Sequence, residues 1–227
     1  MKIERTEIAG LTTRIVGRDD AKLTVILMHG FGAPGDDLVD FARYLDVPAN
    51  FVFPAAPLEL GGMYGDARAW WLLDLARLER DLRTGSPSDR SGEMPDGLPQ
   101  ARAQIATLVA DIEKRFAKPI VIGGFSQGSM MAIDTALHSD TKFAGVVLLS
   151  STLIAAQEWL PRMTKLAGTP VFQSHGRGDA LLPFTVAETL RDHMKTAGAL
   201  VEWHAFNGGH EIPPVVLNEL VTFLRSR

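Results

Sequence analysis

The chain has 227 residues, 46% of them hydrophobic, a formal net charge of -4 and no cysteine. The length suits one α/β domain that can bury its own core, and the missing cysteines exclude disulfides, thiolate metal sites and cysteine nucleophiles. The acidic balance, without a Lys/Arg block, argues against a nucleic-acid surface.

The N-terminal stretch MKIERTEIAGLTTRIVG is charged and alternating and lacks the apolar core of a signal peptide. No apolar run reaches the roughly 18 residues of a membrane span, so a cytoplasmic protein is expected. Residues 25–28 close the run LTVILMHG and read as a buried strand. Residues 36–45 place Leu38, Phe41 and Leu45 at helical spacing, and 51–53 form a short strand closed by Pro54. Ile105, Leu108, Val109, Ile112 and Phe116 mark one face of an amphipathic helix.

Pro119 then opens the strand PIVIGG. Helix follows over 126–137 and strand over 143–149 (GVVLLSS). The same alternation continues with strands at 170–173 and 201–206, and with helices that carry Val186, Leu190 and Met194 and then span 215–224. Apolar strands separated by helices predict an α/β fold, with a mostly parallel sheet and helices on both faces. Residues 58–99, rich in Gly, Pro, Ser and charge, break this rhythm. A long irregular segment inside a compact domain is expected to be a lid or pocket wall.

The strand PIVIGG runs into Gly124-Phe125-Ser126-Gln127-Gly128 and then into the helical pattern SMMAIDTAL. G-x-S-x-G between strand and helix is a nucleophile turn. The serine sits on a tight, strained bend, its neighbours two residues away must be small, and the helix N-terminus beneath it favours an oxyanion. The early strand ends in His29-Gly30-Phe31-Gly32. Loops after such strands supply the second oxyanion donor, so the backbone N–H groups of Phe31 and Gln127 are expected to form the oxyanion hole. His29 is expected to brace this loop rather than act as a base.

A serine hydroxyl needs an adjacent base, itself oriented by a third group. In a strand-turn-helix site of this kind the chain order is Ser, then an acid, then His. Asp179 follows the strand PVFQ, and His210 follows VEWHAF and two glycines, both in loops at the sheet edge that carries the nucleophile. His175 precedes the acid and reads as structural. His204 lies in a strand, His193 in a helix and His138 at a helix end.

In order and at similar spacing, LMHGFGAPGDD, FPAAP, AWWLLD, GGFSQGSM, HGRGDALLP and GGHEIP resemble the acyl-protein thioesterase and phospholipase/carboxylesterase family of α/β-hydrolases. The resemblance covers nearly the whole chain. It implies a single α/β-hydrolase domain over 1–227, with the lid or wall segment at about 58–99. It implies Ser126, Asp179 and His210 as a catalytic triad and Phe31 and Gln127 as oxyanion donors. It also implies Trp71 as a pocket-wall aromatic and Leu181 and Leu182 as shapers of the acyl site. Ser129 stands where the family often has glycine, and GFGAPGD replaces the more usual GLGDTG.

These features together predict a serine hydrolase cleaving carboxylic esters, or thioesters, of short to medium acyl chains through an acyl-enzyme, without metal or organic cofactor. Met63, Trp70, Trp71, Phe31 and the two leucines are expected to form the apolar pocket. The partner expected is a small acyl ester or thioester, with a homodimer left open. An amidase, peptidase or lactone hydrolase with the same triad, and a non-catalytic binding protein, are the alternatives.

Overall fold

The computed structural model describes residues 2–85 and 88–227, Tyr64 by its backbone alone. Ser86 and Pro87, within the 58–99 segment, lie outside the described residues. The charged, alternating N-terminus forms a hairpin of β1 (Ile3–Ile8) and β2 (Leu11–Val16), with Ile8 opposite Leu11. Alternation suits this edge position, where one face of the strand meets water. β3 (Leu23–Met28) and β4 (Ala49–Pro54) follow, buried throughout.

Between these two strands only α1 (Phe41–Tyr44) is helical, four residues of the expected ten-residue span. Turns bonded three residues apart, such as Val39 N–H to Asp36 O, bring Leu38, Val39 and Leu45 inward instead. Asp36, Asp37 and Asp40 are poor helix formers, which accounts for the difference.

The 58–99 segment is more ordered than its composition suggested. β5 (Leu58–Glu59) pairs with β6 (Arg68–Ala69), and α2 (Leu75–Thr84) runs for ten residues. The Asp74 side chain accepts the Arg77 N–H, and Gly85 ends α2 in the left-handed conformation. The signal was present in the chain: an N-cap aspartate, leucines at 75, 78 and 82, and a terminal glycine.

The remaining elements are α3 (Leu98–Phe116), β7 (Ile120–Phe125), α4 (Gln127–His138), β8 (Gly145–Leu149), α5 (Ala156–Trp159), β9 (Pro170–Gly176), α6 (Phe184–Thr196), β10 (Leu200–Phe206) and α7 (Pro214–Arg225). One eight-stranded sheet has the order β1-β2-β4-β3-β7-β8-β9-β10. It is parallel from β4 to β10, while β2 joins β4 antiparallel. The central strands are near-continuous apolar runs because helices cover both faces. α3, α4 and α6 pack on one face, and α7 with Leu38, Val39 and Leu45 on the other. The loops after β3, β7, β9 and β10 therefore open on one edge of the sheet.

Candidate active site

β7 enters α4 through Ser126, whose backbone lies at φ 53°, ψ -119°. Such a conformation costs a non-glycine residue about 1–3 kcal/mol and persists only where its surroundings enforce it. The enforcement is visible. A Cβ on Gly124 would sit 2.4 Å from the Met28 carbonyl oxygen, and one on Gly128 only 2.1 Å from the same atom. Two glycines thus let β7 and α4 close on β3. The Ser126 N–H donates to Leu149 O over 2.9 Å, and Ser129 Oγ donates to Ser126 O over 2.6 Å. The serine at 129 adds a tie that glycine could not make.

Opposite this turn, the loop after β3 is held on two sides. His29 Nδ1–H donates to Gly30 O at 2.8 Å, and Nε2 accepts the Ala56 N–H at 3.0 Å. Burial pushes this imidazole below its ordinary value, so it is a neutral brace. The Gly32 N–H donates to Arg68 O, and the Arg68 N–H to Ala33 O, which fastens the β5–β6 hairpin to the loop. Gln127 Oε1 accepts the Trp70 N–H at 2.9 Å, and its Nε2 donates to Trp71 O at 2.8 Å. Among the described residues, the N–H groups of Phe31 and Gln127 donate to no protein acceptor. Gly30, Phe31, Ser126 and Gln127 border one cavity.

Asp179 lies in the turn after β9 and His210 in the loop after β10. These loops are tied together by the bonds Arg177 N–H to Phe206 O and Gly178 N–H to Gly208 O, each 2.9 Å. His210 Nδ1–H donates to Asp179 Oδ2 at 2.7 Å. The N–H groups of Leu181 and Leu182 both donate to Asp179 Oδ1 at 2.9 Å. Burial by itself would raise the Asp179 pKa. The His210 hydrogen bond and charge, with the two amides, outweigh it and hold the carboxyl below its usual value. The ring of His210 leans on Phe125, with centroids 4.9 Å apart. Ser126 and His210 border the same cavity, although no hydrogen bond joins them among the described residues. Such contacts are often long without substrate.

The cavity holds about 480 Å³, within the common range for small-molecule sites. Phe31, Trp71, Leu181 and Leu182 line it as the sequence suggested. Met130, one helical turn beyond Ser126, and Ile154 line it as well, and α2 with residues 90–95 forms the outer wall. Two expectations fail. Met63 is 92% exposed and lies outside the cavity, because it sits at the tip of the hairpin whose ends fasten to the loop after β3. Trp70 is buried in the core with its indole N–H on His29 O at 2.9 Å. The chain bends at both residues just after β6, and the two side chains part there: Trp71 meets the cavity and Trp70 does not.

A strained serine between a central parallel strand and a buried helix, with an Asp–His pair on the same sheet edge, defines an α/β-hydrolase. The model of the phospholipase/carboxylesterase family matches residues 13–227, and the chain belongs to that family. It is 30% identical over 216 residues to acyl-protein thioesterase 1 of Aspergillus fumigatus, an overlap of 89% of this chain and 87% of the relative. With acyl-protein thioesterase 1 of Candida albicans the identity is 28%, covering 91% and 92%. Esterase PE8 superposes with a TM-score of 0.78 at 25% identity, covering 100% of this chain and 99% of the other. The chain is a carboxylesterase-type serine hydrolase.

Proposed function

We propose that Ser126, His210 and Asp179 form the catalytic triad of an esterase that takes short to medium acyl esters or thioesters. The observation that carries this reading is the 2.7 Å bond from His210 Nδ1–H to Asp179. It leaves Nε2 unprotonated and free to serve the cavity that Ser126 borders. In the proposed reaction His210 Nε2 takes the Ser126 proton as Oγ attacks the acyl carbon. Asp179 stabilises the imidazolium that results.

The negative oxygen of the tetrahedral intermediate accepts from the Phe31 and Gln127 amides, which have no competing protein acceptor among the described residues. Collapse expels the alcohol or thiol, which takes the proton from His210. Water then attacks the acyl-enzyme, His210 accepts its proton, and the acid product leaves as Oγ is reprotonated. Thioesters enter the proposal because the fungal relatives are named acyl-protein thioesterases. A short to medium acyl chain is part of the same proposal, supported by the 480 Å³ volume and by the Phe31, Trp71, Leu181 and Leu182 lining. Cytoplasmic location belongs to the same proposal. Among the described residues no helix is long and apolar enough to cross a membrane.

Ser126→Ala should lower turnover of p-nitrophenyl butyrate by at least about 10⁴-fold with the circular dichroism spectrum unchanged. A fluorophosphonate should label Ser126 alone. Near-normal turnover in Ser126→Ala, or labelling elsewhere, would overturn the assignment.

A further inference from the structure

The triad leaves one buried histidine unused. His175, the penultimate residue of strand β9, is fully enclosed. Its Nε2–H donates to Leu182 O at 3.1 Å, and the same nitrogen lies 3.3 Å from Asp179 Oδ2. That oxygen is the one that accepts from His210. The residue therefore touches the acid in two ways. Through Leu182 O it clamps the turn whose amides, at Leu181 and Leu182, hold Asp179 Oδ1. Through its N–H edge it also presents positive charge density to Oδ2.

Resting on the triad proposed above, we infer that His175 is a positioning residue for Asp179, fixing the carboxylate and sharing its charge with the base. Four polar contacts then surround the acid: the two amides on Oδ1, and His210 and His175 on Oδ2. The groups whose charge acts on the His175 ring are Asp179, from the turn after β9, and His210, from the loop after β10. From α6 it meets the ring of Phe184, centroids 6.0 Å apart. Burial, with His210 adding to it, pushes the imidazole below its ordinary value despite the Leu182 carbonyl and Asp179, which keeps it neutral with one proton to donate.

A framework histidine and a positioning histidine differ in what their loss does to the base. With the N–H edge removed, Oδ2 carries more negative charge and favours the protonated form of His210. The base must be neutral to accept the serine proton, so the acidic limb of the pH profile moves to higher pH. The experiment measures pH profiles of kcat/KM, with kcat and KM for p-nitrophenyl butyrate, in wild type, His175→Phe and His175→Gln. His175→Phe keeps the bulk and removes the donor. It should lose about tenfold in kcat with KM nearly unchanged, and its acidic limb should lie above wild type.

His175→Gln restores an N–H donor and should recover part of kcat and move the limb back. If His175→Phe does not fold, His175→Leu, smaller and likewise without a donor, takes its place. A limb at the wild-type pH in the folded donor-free variant overturns the proposal, even where stability falls. Ser126→Ala and His210→Ala, run alongside, separate the two readings. If neither lowers turnover, the triad itself is wrong and this inference falls with it.

Discussion

Gln127 Nε2 donates to the carbonyl oxygen of Trp71 across 2.8 Å. The other end of the same amide accepts from the Trp70 N–H, and Trp70 reaches back to the carbonyl of His29. One side chain thus fixes the distance between the two loops that carry the proposed oxyanion donors. The Gln127 side chain is a spacer, whatever its backbone N–H does.

Replacing Gln127 with Met keeps the volume and removes both bonds, stranding a buried N–H and a buried C=O. The expected loss is about 1–3 kcal/mol in the stability from urea unfolding. kcat should fall more than KM rises, because the second donor drifts from the oxyanion. An unchanged unfolding midpoint would show that the clamp is not structural.

Stability should fall on acidification before any carboxylate protonates. His29 and His175 are both held below their ordinary value of 6.5 by burial. Between 6.5 and their depressed folded values, the unfolded chain binds protons that the folded chain refuses. Their contribution is complete above 6.5 and is lost as pH falls through that window, at up to about 1.4 kcal/mol per pH unit for each. Asp179, also depressed, contributes above its ordinary 3.8 and loses that contribution further into acid. Urea midpoints from pH 8 to pH 5 check this, and His29→Gln should flatten the slope near pH 6.

Trp71 closes one wall of the cavity, so Trp71→Leu should admit longer acyl chains. Each further buried methylene adds about 0.8 kcal/mol, about fourfold in kcat/KM. A series of p-nitrophenyl esters should show the optimum moving to longer chains. An unmoved optimum would remove Trp71 from the acyl site.

Helix α4, which follows Ser126, is anchored through Asp134. Arg102 grips both its oxygens at 2.6 and 2.9 Å, and the Trp159 indole N–H donates to Oδ1 at 2.8 Å. Asp134→Ala leaves a largely buried guanidinium and an indole without acceptor and should cost about 3–5 kcal/mol. Glu158 pairs with the same arginine at 2.9 Å but is 37% exposed, so Glu158→Ala should cost less than about 1 kcal/mol. Equal losses in thermal unfolding would contradict this ranking.

The chain by itself determined the alternation of apolar strand and helix, the glycine-flanked serine, and the acid and histidine in later loops. Each of these is written in a few consecutive residues, through side-chain period and backbone freedom. Helix α2 was legible in the same way, from Asp74, its leucines and Gly85, and was hidden by the Gly/Pro/Ser-rich stretch around it. Tertiary structure alone decided which tryptophan of the pair faces the cavity, because the chain bends at both residues and long-range bonds to Gln127 and His29 hold that bend. It also decided that Met63 stands in water and that His175 lies against Asp179. Such contacts depend on how β9, its turn and α6 fold over one another, and no local pattern records that.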